Sequence, residues 1–277
     1  MQLSLSVRIA EGFLSKEEAI LPFEDFAKIA QDSGYDGVCL RGSQLGVHSS
    51  SERVKIVAQM LTNHNLGVSM ITGDFATVYN DDHGPDALRN ITPYLNLAEA
   101  VNSPRIRVAM KKEDDIVPAR RAADEAKERG LTLLHQCHIQ SLFETVDGIV
   151  STLEKIDRPN FRLIYEPANL EECGQDYGLA SAQRLAPWID NVYLQNQRIH
   201  ADGAVTLETW CRGPVYFDLL QVHESGGVDF DVVFAALQAI GYEGNVTVHQ
   251  SAPEGCSPAE SARATADFLT SLMQRVE

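Results

Sequence analysis

The chain has 277 residues, of which 44% are hydrophobic and 22% charged, a composition typical of a globular protein with a sizeable core. Its formal net charge of −16 disfavours binding to nucleic acid or to an anionic membrane, because both carry negative charge themselves. No run of 18 apolar residues is present, so no transmembrane helix is predicted. Five widely spaced cysteines without a CxxC pair indicate reduced thiols, and we expect a cytoplasmic protein without a signal peptide.

Short apolar runs rich in β-forming residues alternate along the chain with longer segments of helical periodicity. Strands are predicted at 3–9, 37–41, 67–74, 105–110, 131–138, 161–169, 191–199 and 245–251. Helices are predicted at 22–34, 50–65, 91–102, 117–130, 142–156, 179–189, 229–241 and 260–276. The long segment between the seventh strand and the helix at 229–241 is predicted to be irregular.

Eight strand–helix units indicate a parallel sheet, because parallel neighbours need helical crossovers. The strands are continuous apolar runs, as expected when both faces of a sheet are covered. Eight such units favour a closed (β/α)8 barrel over an open doubly wound sheet. No linker-like stretch divides the chain, so residues 1–277 are predicted to form a single barrel domain.

In such a barrel the active site lies where the strands end and the following loops begin. The polar residues at these ends are Arg41, Ser43, Gln44, Asp74, Lys111, Lys112, His135, Gln136, His138, Glu166, Asn169, Gln195, Asn196, Arg198, His249 and Gln250. Polar side chains in apolar strands are costly unless they are hydrogen-bonded or ligating, so their convergence predicts a small-molecule pocket. Surface solvation is expected for the two lysines.

The strand-five end HQCH can be divided by the period-two alternation of a strand. His135 and Cys137 share one face, which we expect to pack against helices, while Gln136 and His138 share the pocket. Glu144 is interpreted as a carboxylate in the first turn of the following helix, with a second catalytic base as the alternative.

Several segments resemble the sugar phosphate isomerase/epimerase superfamily, the xylose isomerase-like barrels that include AP endonuclease family 2. The resemblance is carried by GYDGV at 34–38, LNLAEAVNSPRIRV at 95–108, HQCH at 135–138, YEPANL at 165–170, ESGGVDF at 224–230 and ALQAIGYEGNVTVH at 236–249. Their order and spacing cover nearly the whole chain. Dimers and tetramers are common in this family, so a homo-oligomer is an open expectation.

The resemblance implies a divalent metal held by Glu, Asp, His and Glu at the ends of strands five to eight. The matching positions are Gln136, Glu166, a residue within 193–196 such as Gln195, and His249, with His138 as a further candidate. Only one carboxylate remains, so we expect weak binding of Mn²⁺, Co²⁺, Zn²⁺ or Mg²⁺. The alternative is a metal-free pocket whose amides hydrogen-bond sugar hydroxyls.

The predicted activity is that of a carbohydrate isomerase or epimerase, which transfers a proton next to a carbonyl group with Glu166 and His249 as the acid–base pair. A sugar or polyol substrate is expected to contact Arg41, His138, Asn169, Gln195, Arg198 and Gln250. A lyase of the inosose dehydratase kind and a non-catalytic sugar-binding or partner protein remain alternatives. An endonuclease fits poorly, because the chain lacks a basic DNA-binding face.

Overall fold

The computed structural model describes residues 1–12, 15–253 and 255–276. Its strands are β1 Gln2–Ser6, β2 Gly37–Arg41, β3 Gly67–Thr72, β4 Arg105–Val108, β5 Thr132–Gln136, β6 Phe161–Tyr165, β7 Ile189–Leu194, β8 Asn196–Ile199, β9 Val205–Thr209, β10 Gly213–Leu220 and β11 Asn245–Val248. Its α-helices are α1 Phe23–Asp32, α2 Ser51–Asn63, α3 Phe75–Tyr79, α4 Asp86–Arg89, α5 Thr92–Ala100, α6 Ile116–Glu128, α7 Val146–Ile156, α8 Pro167–Glu172, α9 Leu179–Leu185, α10 Phe230–Ala239 and α11 Pro258–Val276. None of the described helices has an apolar stretch long enough to span a bilayer.

Eight parallel strands close into a barrel in the order β1, β2, β3, β4, β5, β6, β7 and β11. Closure occurs at β1, where Leu5 pairs with Val248 of β11 on one side and with Val38 of β2 on the other. The predicted (β/α)8 barrel is therefore confirmed. Since all eight strands run in one direction, their carboxyl ends meet at a single rim.

The barrel interior is filled below this rim by five buried side chains, one from each of five strands: Cys39, Met70, Leu134, Ile164 and Tyr193. Their neighbours along the strands belong to a separate and larger apolar cluster, which packs between the barrel and its helices. This alternation divides each strand between two cores. The interior layer closes the barrel from below, so the next inward-facing residues form the floor of an open mouth.

The prediction of one strand over 191–199 and an irregular segment after it is wrong. The barrel strand β7 ends at Leu194, and β8 joins β9 and β10 in an antiparallel three-stranded sheet beside the mouth. The buried Val215 and Phe217 of β10 alternate with more exposed residues, which is the half-buried strand pattern. That alternation is present in the sequence, although its 205–220 stretch lacks the apolar run of a barrel strand.

The predicted strand 161–169 is also shorter in the structure, because α8 begins at Pro167. Proline lacks an amide hydrogen and has a fixed φ, which suits the first turn of a helix. The short helix turns Asn169 and Glu172 toward the rim. A segment predicted as an extended strand thereby contributes two polar side chains to the mouth.

Glu144 attaches the three-stranded sheet to the barrel. Its Oε1 accepts hydrogen bonds from the backbone N–H groups of Gln140 at 2.5 Å and Trp210 at 2.7 Å, and its Oε2 accepts one from Cys211 at 2.8 Å. The expectation of a first-turn helix carboxylate is wrong, because Thr145 caps α7 by accepting the N–H of Gly148. With three backbone donors on its oxygens, the Glu144 carboxylate has a structural role.

Replacing Glu144 by alanine is expected to loosen the sheet, since hydrogen bonds to a charged acceptor contribute about 1.5–3 kcal/mol each. Amide hydrogen exchange should speed up across 205–220 while the barrel strands keep their protection. Asp202→Ala, at an exposed residue of the same sheet, is the matched control. Unchanged exchange in Glu144→Ala would show that the sheet is held by other contacts.

Candidate active site

A cavity of about 380 Å³ opens at the rim formed by the carboxyl ends of the strands. It is enclosed by the barrel mouth, the loops around residues 80 and 140, and one face of the three-stranded sheet. Its polar lining consists of Arg8, Lys16, Asn80, Arg107, Gln136, His138, Gln140, Asn169, Glu172, Gln195, Gln197, Glu208 and His249. The volume lies within the range of about 300–1,000 Å³ that is usual for small-molecule sites.

Five of the residues that the sequence selected line this cavity: Gln136, His138, Asn169, Gln195 and His249. Arg41 and Glu166 are fully buried next to it. Arg198 lies on the three-stranded sheet, half-exposed, and pairs with Asp218 at 3.1 Å. The side-chain amide of Gln250 donates to the carbonyl oxygen of Leu220. Arg198 and Gln250 therefore have partners in the small sheet, and neither lines the cavity.

Glu166 follows β6 and contacts two residues of the cavity wall. Its Oε2 accepts hydrogen bonds from the side-chain amides of Gln136 and of Asn169, the latter at 2.9 Å. Its Oε1 has no hydrogen-bond partner within the described residues. Burial raises the pKa of Glu166 to about 8, so the carboxyl group is largely protonated at neutral pH.

Glu172, which the sequence analysis did not select, lies at the end of α8 and lines the cavity. It is 1% exposed, and its Oε2 has no partner among the described residues. Burial raises its pKa to about 8, and the nearby Glu166 carboxylate raises it further. Glu166 and Glu172 are neighbouring buried carboxyl groups, and repulsion between two adjacent negative charges favours their protonation.

His138 is held in one orientation at the cavity wall. Its Nδ1 lies 2.9 Å from the carbonyl oxygen of Ile139 and 3.1 Å from the side-chain nitrogen of Asn80, which can only donate. The shorter contact, to the carbonyl oxygen, favours the tautomer with the proton on Nδ1 and the lone pair on Nε2. Asn80, in the left-handed region at φ 51°, donates to the same carbonyl, and Lys111 donates to Asn80 O at 2.6 Å. Burial holds the pKa of His138 well below its usual value, with Arg107 adding to the effect.

The other face of strand five follows the predicted alternation. His135 is buried and stacks on Phe143, with ring centroids 3.9 Å apart. Its Nδ1 lies 2.6 Å from the carbonyl oxygen of Gln136, and burial lowers its pKa to about 3. The expectation that His135 packs away from the pocket is confirmed.

His249 lines the cavity with both ring nitrogens engaged. Nδ1 is 3.1 Å from Ser6 Oγ, Nε2 is 3.3 Å from a guanidinium nitrogen of Arg41, and the ring stacks on Tyr193 at 4.1 Å. A guanidinium can only donate, so Nε2 is the acceptor. Burial, followed by the charge of Arg41, holds the pKa of His249 well below its usual value.

Arg41 forms a buried ion pair with Glu11. Its Nε donates to Glu11 Oε1 at 2.8 Å and Nη2 donates to Oε2 at 3.0 Å, and Ser43 adds a third donor at 2.7 Å. Arg41 is 1% exposed, as is Glu11. The two-pronged geometry satisfies the guanidinium and the carboxylate together.

Arg107 is a second buried arginine of the mouth, and it has no such partner. It lies on β4, is 3% exposed and lines the cavity. No ion pair or hydrogen bond links it to any residue within 1–12, 15–253 or 255–276, and its Nε is buried without an acceptor. Burial lowers its pKa. The signal in the sequence was its position between Ile106 and Val108, which face the outer core.

The chemistry of the candidate metal ligands fits a divalent cation poorly, although Gln136 Oε1 and Glu166 Oε1 are buried without partners among the described residues. His249 Nε2 is directed at a guanidinium, Glu166 is the one carboxylate of the set, and Gln136 donates to it. Asn196 is occupied with the backbone of 197, 221, 224 and 228. Divalent ions such as Mg²⁺ require several anionic or oxygen ligands, and the charge of Arg107 opposes a second cation.

One other group of metal-ligand types occurs in the described part of the chain. Glu144, Cys173 and Cys211 place a carboxylate oxygen and two sulfurs within 4.8 Å of one another. The Glu144 oxygens already accept three backbone hydrogen bonds there. The cluster joins the end of α8 to the three-stranded sheet and lies apart from the cavity lining.

These features define a (β/α)8 barrel with a polar small-molecule cavity at the carboxyl ends of its strands, where barrel enzymes carry their active sites. The chain belongs to the xylose isomerase-like TIM barrel family, whose sequence profile matches residues 26–272. The resemblance in the sequence is therefore confirmed at the level of the family.

The chain is similar in sequence to a dehydratase and in structure to an epimerase and to a magnesium-bound barrel protein. Inosose dehydratase of Geobacillus thermodenitrificans is 28% identical over 151 residues, which are 54% of this chain and half the length of that relative. D-allulose 3-epimerase of Methylomonas sp., solved with D-allulose, is 16% identical at a TM-score of 0.71, covering 98% of this chain and 96% of its own. A xylose isomerase-like barrel protein of Mycobacterium smegmatis, solved with magnesium, is 13% identical at a TM-score of 0.71, covering 100% and 98%. The structural similarities show the fold.

Replacing Arg41 by methionine is expected to lower the free energy of unfolding by up to about 3–5 kcal/mol, because the buried Glu11 then loses its two-pronged partner and keeps only Arg8 at 3.6 Å and the hydroxyl group of Ser43. Chemical denaturation measures this loss. The double variant Arg41→Met with Glu11→Gln should recover part of it, since no lone charge remains. A single variant as stable as the parent would mean that the pair contributes little.

A metal ion that binds the folded state raises the melting temperature by mass action. Because the candidate ligands fit a divalent cation poorly, addition of Mg²⁺ or Mn²⁺, or of EDTA, is expected to leave the melting temperature unchanged. Differential scanning fluorimetry on chelator-free protein measures the effect. A stabilisation that disappears in Glu166→Gln would contradict this and restore the metal site predicted from the sequence.

Proposed function

We propose that this protein is a carbohydrate isomerase or epimerase that moves a proton at a carbon next to a carbonyl group, without a metal bound by Gln136, Glu166 and His249. The observation that carries the proposal is one cavity lined by both His138 and Glu172, where burial lowers the pKa of the imidazole and raises that of the carboxyl group, so that both neutral forms are favoured. These are the two forms that enolisation requires.

His138 is the base of the proposed reaction. Its Nδ1–H is fixed on the carbonyl oxygen of Ile139, which leaves the Nε2 lone pair to take a proton. Its lowered pKa keeps it unprotonated at neutral pH. His249, the base expected from the sequence, would have to give up its contact with Arg41 before accepting a proton. The geometry therefore favours His138.

Glu172 is the proposed acid. As the substrate's C–H bond next to the carbonyl group breaks, the proton of that bond passes to His138 Nε2 and the electron pair forms a carbon–carbon double bond. The carbonyl oxygen then takes the proton of the Glu172 carboxyl group, which gives an enediol and a carboxylate. In an isomerisation, protonated His138 returns its proton to the neighbouring carbon while the hydroxyl group on the first carbon gives its proton to the Glu172 carboxylate and becomes the new carbonyl group. In an epimerisation, the first carbon takes a proton from solvent on its opposite face, the enediol oxygen returns its proton to Glu172, and His138 releases its proton to solvent. Glu166, next to it, holds Gln136 and Asn169 in the wall.

The amide side chains of the wall suit a substrate with many hydroxyl groups. Gln136, Asn169, Gln195 and Gln197 line the cavity, and a side-chain amide carries both a donor and an acceptor group. The Oε1 atoms of Gln136 and Gln197 are buried without partners among the described residues, so they are available to substrate hydroxyls. A polyhydroxylated ring or chain would satisfy several of them at once.

A dehydratase is the second candidate, and the inosose dehydratase similarity favours it. The first step is the same proton abstraction by His138. The Glu172 proton would then go to a hydroxyl group on the next carbon, which leaves as water. The two candidates thus differ in which oxygen receives the proton.

Incubation in D2O with ketoses and inososes tests the proposal, with proton NMR following loss of the C–H signal next to the carbonyl. His138→Gln and Glu172→Gln should each slow exchange by about 100-fold or more, the usual contribution of a general acid or base. Exchange by the parent protein should decline as the pH rises through about 8, because Glu172 then loses its proton.

Two neighbouring substitutions serve as controls. Glu171 is next to Glu172 in the chain but does not line the cavity, so Glu171→Gln is the first control. His83→Gln, at an exposed histidine, is the second. Both should exchange at the parent rate. An unsaturated product in place of an isomer would identify the dehydratase. Tight sugar binding without any exchange would instead identify a non-catalytic binding protein.

A further inference from the structure

We infer that the cavity binds an anionic ligand whose carboxylate or phosphate group lies against Arg107. The inference refines the substrate class of the proposed function, and it rests on that function for the reaction although not for the binding. A sugar acid or a sugar phosphate is therefore favoured over a neutral sugar or polyol.

Arg107 has a buried charge without a counter-charge. A guanidinium that is 97% removed from solvent loses its hydration, and a carboxylate and hydrogen bonds normally compensate for this loss. The described residues give Arg107 neither, and its buried Nε has no acceptor. Its side chain lines the cavity, so an anion bound there can provide both.

Arg41 is a buried arginine of the same barrel mouth whose charge is neutralised by a residue of the protein itself. Glu11 binds Arg41 through two oxygens and lies fully buried with it. The two arginines share the barrel mouth, the burial and the residue type. They differ in the carboxylate, which the chain provides for one and leaves to a ligand for the other.

The carboxyl groups near Arg107 do not neutralise it. Glu166 interacts with it electrostatically, yet forms no ion pair with it in the described residues, and both Glu166 and Glu172 have pKa values raised to about 8. The wall also contains Lys16, whose Nζ lies 5.4 Å from the ring centre of Tyr79, Arg8, which pairs with Glu11 at 3.6 Å, and the acidic residue Glu208. Arg107 is therefore the buried charge of this wall for which the described residues provide no ion-pair partner.

The ligand that fits this wall combines hydroxyl groups with one anionic end. The planar fork of a guanidinium binds two oxygens of a carboxylate or a phosphate equally well. The amides around Gln136 and Gln195 would bind the hydroxyl groups, as argued above. The geometry does not separate the two anions, so the experiment treats each in turn.

Binding is measured by thermal shift and by calorimetry at constant ionic strength, with inorganic phosphate as the first probe. Two matched pairs follow: D-gluconate against D-sorbitol for the carboxylate, and D-fructose 6-phosphate against D-fructose for the phosphate. Phosphate and at least one anionic member should stabilise the parent protein more than chloride or the neutral member. The better anion identifies the group that lies against Arg107.

Arg107→Met removes the charge at similar side-chain length. It should weaken anion binding by about 10- to 100-fold, as expected for loss of a charged hydrogen bond, while the ligand-free protein melts at the same or a higher temperature. Arg107→Lys should retain part of the binding. Arg41→Met, the matched substitution at the paired arginine, should instead lower the melting temperature of the ligand-free protein.

Two outcomes overturn the inference. One is a parent protein that no anion stabilises beyond chloride, and the other is anion binding that Arg107→Met leaves intact. Because these measurements need no turnover, they are separate from the proposed reaction. Exchange of neutral ketoses in D2O by the parent protein, together with either of these binding outcomes, would leave the proposed function standing and this inference refuted.

Discussion

The barrel mouth is organised around two buried guanidinium groups in a low-dielectric setting. A charge removed from water must find an opposite charge or a set of hydrogen bonds, since the cost of leaving it alone is several kcal/mol. Arg41 meets this demand with Glu11 and in doing so reaches His249 Nε2. Arg107 does not meet it within the described residues. The protonation states of the histidines and carboxyl groups around the cavity follow first from burial, and at His138 and His249 the guanidinium charges add to its effect on the pKa.

The net charge of the chain does not describe the charges inside the barrel mouth. The chain carries a formal net charge of −16, yet the cavity wall contains Arg8, Lys16 and Arg107 beside the acidic Glu208, and the buried carboxyl groups of Glu166 and Glu172 favour their neutral forms. Surface charges are screened within about 8–10 Å at physiological salt, whereas a buried guanidinium acts at contact distance. Net charge therefore says much about nucleic acids and membranes, and little about which small molecule enters a closed mouth.

The fold could be predicted from the sequence because eight units repeat one pattern, and parallel pairing leaves few ways to join them. The same alternation correctly divided His135 from the pocket side of strand five, and it would have located Arg107 between two outward-facing residues. Arg198 was misplaced with respect to the cavity because nothing local marks the end of β7 at Leu194. The position of Glu172 in the cavity wall depends on α8, which replaces the end of a predicted strand. The position of Lys16 in the wall depends on a loop that folds back over the rim. These placements are set by tertiary contacts.

The changes at the strand ends share one electrostatic direction. Relative to the ligand set that the family resemblance implies, Gln136 and His249 stand where carboxylates are expected, and Arg107 adds a positive charge beside them. A mouth with three carboxylates needs a bound cation before it can hold an electron-rich substrate oxygen. A mouth with neutral amides and a free guanidinium can hold that oxygen directly. In the proposed arrangement, the change of ligand types at the strand ends and an arginine without a partner among the described residues are thus connected, because the protein itself would provide the positive charge.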